Sequence, residues 1–94
     1  MAKTQTIGKT ATSIFTENGF TYVVYHSTPV VKYNHEKIIL NSGGWYTNTT
    51  KTRMNQTSNQ FGLGFRVWQV NFGWKVDFNG QTVDFVDGME LTRP

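Results

Sequence analysis

The sequence predicts an α+β fold that is mostly β: a small antiparallel barrel or two-layer roll of about eight short strands, with one helix near residues 48–60. Three observations predict it. The 94 residues carry seven Phe, four Tyr and three Trp against three Leu and two Ala, so few but large side chains fill the core and a helical bundle is disfavoured. Thirteen Val and Ile with fourteen Thr favour a pleated backbone, because β-branched side chains lose rotamer freedom in a helix. Turn signals recur at short intervals, except in one polar tract in the middle of the chain.

A chain of this length makes one domain and buries roughly 60–65% of the surface it exposes when unfolded. Residues 1–9 are polar with one Ile and read as a flexible arm; residues 10–94 read as a single β-rich domain. The start has two lysines but no apolar run, so it is read as neither a signal peptide nor an anchor, and no stretch approaches a membrane span. With no cysteine, disulfides and thiolate metal sites are excluded and a reducing compartment fits. Asn48-Thr49-Thr50 and Asn55-Gln56-Thr57 match the glycosylation acceptor pattern, which chance explains in a chain so rich in Asn and Thr.

Taken in order, residues 10–16 and 20–27 form the first hairpin about Asn18-Gly19, since a type I′ turn needs positive φ at both central positions. That loop pairs Phe15 with Tyr22 and Ile14 with Val23. Pro29 cannot donate to a ladder and opens the next strand, 29–33, which Asn34–Lys37 joins to 38–41. Val31, Tyr33, Ile38 and Leu40 then share one face. Ser42-Gly43-Gly44 breaks the sheet.

The helix is expected over 48–60, with Thr47, Asn48 or Thr49 as N-cap and Gly62 as the left-handed stop. Thr50, Met54, Thr57 and Phe61 share its apolar face. Lys51, Asn55 and Ser58 lie on one flank; Arg53, Gln56 and Gln60 lie on the other. Five of residues 48–58 are Thr or Ser, so packing by Trp45, Met54 and Phe61 has to hold it, and an ordered loop is the competing reading.

The remaining residues read as a β-meander. A three-residue loop, Asn71-Phe72-Gly73, would turn Trp68 and Val70 inward with Trp74 and Val76, leaving Phe65 and Val67 on the other face. Asn79-Gly80 pairs Phe78 with Gln81, Val76 with Val83 and Trp74 with Phe85, placing these apolar residues inward and Lys75 opposite Asp84 on the outer face. A bulged hairpin at Val86-Asp87-Gly88 then pairs Phe85 with Met89 and Val83 with Leu91.

Catalytic and metal-binding patterns are weak. The only nucleophile–base neighbours, His26 and Ser27, point to opposite faces if both are in a strand. His26, His35 and Glu36 could supply a zinc set in principle, but read better as turn and strand-end residues. Asp77 and Asp84 look like ordinary cross-strand charges, and Gly62-Leu63-Gly64 runs from helix into strand, the reverse of a dinucleotide loop. The chain therefore reads as non-enzymatic, with no cofactor.

Charge offers more. Residues 1–75 carry +6 and residues 76–94 carry −3, an asymmetry that can steer an anionic partner. Residues 41–66 hold no carboxylate, yet contain Trp45, Tyr46, Lys51, Arg53 and Arg66. Cations suit phosphates, aromatic faces suit unpaired bases, and an amide such as Asn55 can read base edges. The plainer reading makes Trp45 and Tyr46 core plugs and the cations solvated.

In the same segment, S-G-G-W, T-T-K-T-R-M-N-Q and Q-F-G-L-G-F resemble a pattern found in small bacteriophage-encoded proteins, over most of the chain from Val30 to the final Asp-Gly turn. The resemblance implies a phage or marine viral origin and action in the host cytoplasm or a virion; it carries no activity or site residue. Three functions are thus in view. The first is a nucleic-acid-binding accessory protein that takes single-stranded nucleic acid on Trp45, Tyr46, Lys51, Arg53, Asn55 and Arg66. The second is a virion or host-factor interaction module working through an aromatic surface or as a homo-oligomer. The third is a ligand pocket inside a barrel, lined by Trp68, Trp74 and Tyr22.

Overall fold

A computed structural model describes residues 12–71 and 73–94. The arm expected at 1–9, the start of the first strand and Phe72 lie outside the described residues. The element order is β1 (Thr12–Glu17), β2 (Phe20–Tyr25), β3 (Thr28–Tyr33), β4 (Lys37–Leu40), α1 (Asn48–Phe61), β5 (Phe65–Val70), β6 (Gly73–Phe78), β7 (Gln81–Asp84) and β8 (Met89–Thr92). The strands form two antiparallel sheets that do not close into a barrel. One is five-stranded, in the order β1-β2-β3-β4-β8; the other is three-stranded, β5-β6-β7.

The local pairings follow turn chemistry. Asn18, with φ of 54°, turns the first hairpin so that Phe15 faces Tyr22 and Ile14 faces Val23. In the second, Val31 faces Leu40 and Tyr33 faces Ile38. The Asn34 side chain accepts from the N–H groups of Glu36 and Lys37 at 2.8 and 2.9 Å, an Asx-type turn that sets the register. Lys75 pairs with Asp84 and Val76 with Val83, as the Asn79-Gly80 turn requires.

Four expectations are corrected. The second strand does not run to residue 27: His26 takes φ of 58°, and Tyr25 pairs with Thr28 across a short turn. At Asn71, φ of 56° closes the β5–β6 connection one residue early, so Val70 pairs with Gly73. Parity is thereby reversed along the whole of β5: Phe65 and Val67 are buried, while Val70 is exposed. Val83 is also exposed, at the margin of the smaller sheet. Finally, β8 pairs with β4 and not with β7. Leu40 faces Met89 and Ile38 faces Leu91, so Asp87-Gly88 is a crossing between sheets and not a hairpin.

That crossing is fixed by distant partners. Asp87 Oδ1 accepts from the Ser42 N–H at 2.8 Å, and the Gly88 N–H donates to the Leu40 carbonyl at 2.8 Å. The core lies between the two sheets and the helix, built from Val23, Val31, Ile38, Leu40, Met54, Leu63, Phe65, Val67, Trp74 and Val76, among others.

The helix spans residues 48–61, starting and stopping where expected. The Thr47 side chain accepts from the Thr50 N–H at 3.2 Å, and Gly62, at φ of 64°, donates to the Ser58 carbonyl, which also accepts from Leu63. Its buried residues are Thr50, Met54, Thr57 and Ser58. It lies along β5 and reaches β2 and β3. Against β5 it acts as a substitute strand. Asn55 donates to the Val67 carbonyl at 2.9 Å and accepts from the Val67 N–H at 2.7 Å; Ser58 Oγ accepts from the Phe65 N–H at 2.9 Å. Residues spaced i and i+3 on a helix thus meet residues spaced i and i+2 on a strand, and the outer edge of β5 is satisfied without a further strand.

Candidate nucleic-acid interface

The turn between β4 and α1 presents two exposed aromatic rings. Trp45 is 57% exposed and Tyr46 is 55% exposed, so neither is a core plug. The backbone beneath them is held tightly. Gly43 N–H donates to Asn41 Oδ1 at 2.7 Å, Gly44 N–H to Ser42 Oγ at 3.0 Å, Trp45 N–H to the Ser42 carbonyl at 3.0 Å and Thr47 N–H to the Trp45 carbonyl at 2.9 Å. Ser42 is buried, and a Cβ on Gly43 would collide with the Thr28 side chain, so the close approach of the turn to β3 requires glycine there.

Two ring clusters extend from this turn. On one side Tyr46 meets Trp74 edge-on at 4.9 Å and Phe85 at 6.1 Å, and its hydroxyl donates to Asp87 Oδ2 at 3.3 Å. Lys51 Nζ stands 5.6 Å over the Trp74 ring and donates to Gln69 Oε1 at 3.1 Å. On the other side Trp45 lies 6.5 Å from His26, which lies 4.4 Å from Tyr25. The Arg53 guanidinium stands 5.6 Å over Tyr25, with Nε donating to Thr12 and a terminal nitrogen donating to Gln56. Each helix cation is therefore linked to one exposed ring through the ring or rings between them. The first turn of α1 carries no acidic residue, and among the described residues the carboxylate that reaches the exposed rings is Asp87.

The other two predicted residues stand elsewhere. Arg66 projects from β5 over Trp68, 6.0 Å from its ring, and lies 3.9 Å from Asp77. With Asn55, Asn59 and Phe65 it borders a shallow cleft of about 190 Å³. The Asn55 amide is engaged by Val67, as described above. On this outer face the Thr82 hydroxyl, donating at 2.7 Å, holds the Asp77 carboxyl below its ordinary range; the Trp68 indole, which lacks a partner of full hydrogen-bond geometry, adds to the lowering. The pocket expected among Trp68, Trp74 and Tyr22 is absent. Trp68 and Trp74 project from opposite faces of their sheet, and Tyr22 stacks on Phe15 outside the other sheet.

Sequence reasoning overlooked Tyr25, His26 and Trp74 as part of this surface. An unbroken β2 places His26 in a strand; only its positive φ turns the ring toward Trp45, and His carries a weak signal for that conformation. Among the described residues no helix is long and apolar enough to cross a membrane, and no three His, Cys, Asp or Glu side chains are grouped to hold a metal.

A family model described as Kyanoviridae Gp96 protein matches residues 1–92. No curated protein and no solved structure matches.

Proposed function

We propose a function from one premise: the chain belongs to the Kyanoviridae Gp96 protein family, and so to the bacteriophages. On our reading it is a non-enzymatic accessory protein that binds single-stranded nucleic acid in the host cytoplasm or the virion. Unpaired bases stack on Trp45 and Tyr46 while Lys51 and Arg53 attract the phosphates. The observation that carries this reading is the exposure of two adjacent rings on a glycine-pinned turn, with two cations in the first two turns of the helix that follows. Base stacking of this kind is tolerant of sequence, so the expected ligand is any unstructured strand. Asn55 and Arg66 fall outside the proposed contact surface, the first because its amide is engaged by β5 and the second because it faces Asp77 and Trp68.

Fluorescence anisotropy with a labelled single-stranded oligonucleotide tests the reading. Binding that weakens steeply with salt, and weakens further in Trp45→Ala and in Lys51→Glu/Arg53→Glu, supports it. The absence of binding at low salt removes it, and leaves the exposed rings to a protein partner.

A further inference from the structure

We propose that β1 pairs with β1 of a second copy of this chain, antiparallel, about a two-fold axis at Phe15. The inference uses none of the residues assigned to nucleic acid and stands apart from that function.

It starts from how the sheet edges are finished. The edge of β5 is covered by Asn55 and Ser58. β7 and β8 are short edges that carry the charges Asp84 and Glu90. β1 is different: it is a longer edge strand, its residues 13–17 are exposed, and from Ser13 to Thr16 it has no charge, proline, glycine or bulge. Those are the devices by which natural edges resist pairing, and β1 has only Glu17, at its turn end. It exposes instead an apolar side chain on each face, Ile14 at 45% and Phe15 at 44%.

The backbone is self-complementary in a register centred on Phe15, which the exposed ring there favours. The turn at Asn18-Gly19 makes Phe15 and Tyr22 a hydrogen-bonded pair, so Ile14 and Thr16 direct their N–H and C=O groups away from β2. A two-fold axis normal to the sheet joins like faces, which centres the contact on a residue and not between two. Centred on Phe15, the contact sets Ile14 opposite Thr16 of the second copy, and their outward groups meet as hydrogen-bonded pairs. Phe15 then meets Phe15 of the second copy at a non-hydrogen-bonded position, where side chains are closest. Phe15 already stacks on Tyr22, with centroids 5.0 Å apart and planes 11° apart. The two-fold extends that stack to four rings, with Lys32 of each copy placed 5.3 Å over its own Tyr22. The contact is smaller than a standard interface of about 1,600 Å², so monomer and dimer exchange.

Sedimentation equilibrium on the full chain tests this, over roughly 5–500 µM, the range in which mass action shifts a weak dimer. The average mass rises from 10.7 kDa toward twice that value. Thr16→Pro removes one outward N–H while leaving the β1–β2 ladder whole, and moves the midpoint at least ~10-fold higher in concentration. Phe15→Lys does the same by breaking the ring stack, which keeps the test decisive if the proline variant fails to fold. Three results overturn the proposal: a mass that stays at 10.7 kDa throughout, a dimer unaffected by both variants, or a dimer that appears only when residues 1–11 are removed.

Discussion

The side-chain amide of Asn55 forms both halves of a strand-like pair with the main chain of Val67, donating at 2.9 Å and accepting at 2.7 Å. Removing it leaves two part-buried main-chain groups unpaired. Asn55→Ala is therefore expected to cost about 2–3 kcal/mol, and Ser58→Ala about 1 kcal/mol. Asn55→Asp keeps the acceptor but not the donor and falls between. Urea denaturation followed by circular dichroism measures all three.

The turn beneath Trp45 depends on Gly43. Its φ is 65°, and a Cβ there meets Thr28. Gly43→Ala is expected to destabilise by about 2–4 kcal/mol, combining left-handed strain with overpacking. Gly62→Ala, at a similar φ but with open space around it, costs only about 1 kcal/mol. Adding Thr28→Ala to Gly43→Ala restores part of the difference. Thermal melts of the four proteins check the order.

On the proposed nucleic-acid surface, Trp45→Ala is expected to weaken oligonucleotide binding by ~5–100-fold, the range for loss of one base stack. Lys51→Glu/Arg53→Glu flattens the salt dependence. Arg66→Glu, away from the rings, changes affinity by less than about threefold at near-physiological salt. Equal losses from all three would show general electrostatic attraction and no defined surface.

Asp77 supplies a pH dependence. Its folded pKa is depressed, first by the Thr82 hydroxyl, so the folded state favours the carboxylate. The associated stability is present at neutral pH and is lost as pH falls through the folded pKa, below the usual aspartate range. Thr82→Val should move the Asp77 carboxyl titration back toward the ordinary value, observed by carbon-detected NMR of that group.

The parts of the fold legible in the sequence are those fixed by neighbours along the chain. Asn18-Gly19, Asn34–Lys37 and Asn79-Gly80 each determined a register, and Thr47 and Gly62 bounded the helix, because turn and cap chemistry is local. The errors arose where remote contacts overrode it. Asp87 looks like a hairpin residue until Ser42 and Tyr46, more than forty positions away, are seen bound to it. Asn55 looks like a polar surface residue until Val67 is placed beside it. The parity of β5 turned on the φ of a single asparagine, Asn71. Of the candidate site, the segment 45–53 was visible as rings and cations. Its completion by Tyr25, His26 and Trp74 depended on how two sheets converge at one turn.

The β4–β8 pairing has a consequence for how the chain reaches this state. Residues 41–88, with the whole of α1 and the smaller sheet, intervene between Leu40 and Met89. The hairpins β1–β2, β3–β4, β5–β6 and β6–β7 can zip locally on the microsecond scale, but β8 can dock only after that long excursion has been closed, at an entropic cost that grows with its length. Kinetically, the last event should be the sealing of Ile38–Leu40 against Met89–Leu91. Pulse-labelled amides in β8, and those of β4 that face β8, should gain protection later than those in β2 and β6.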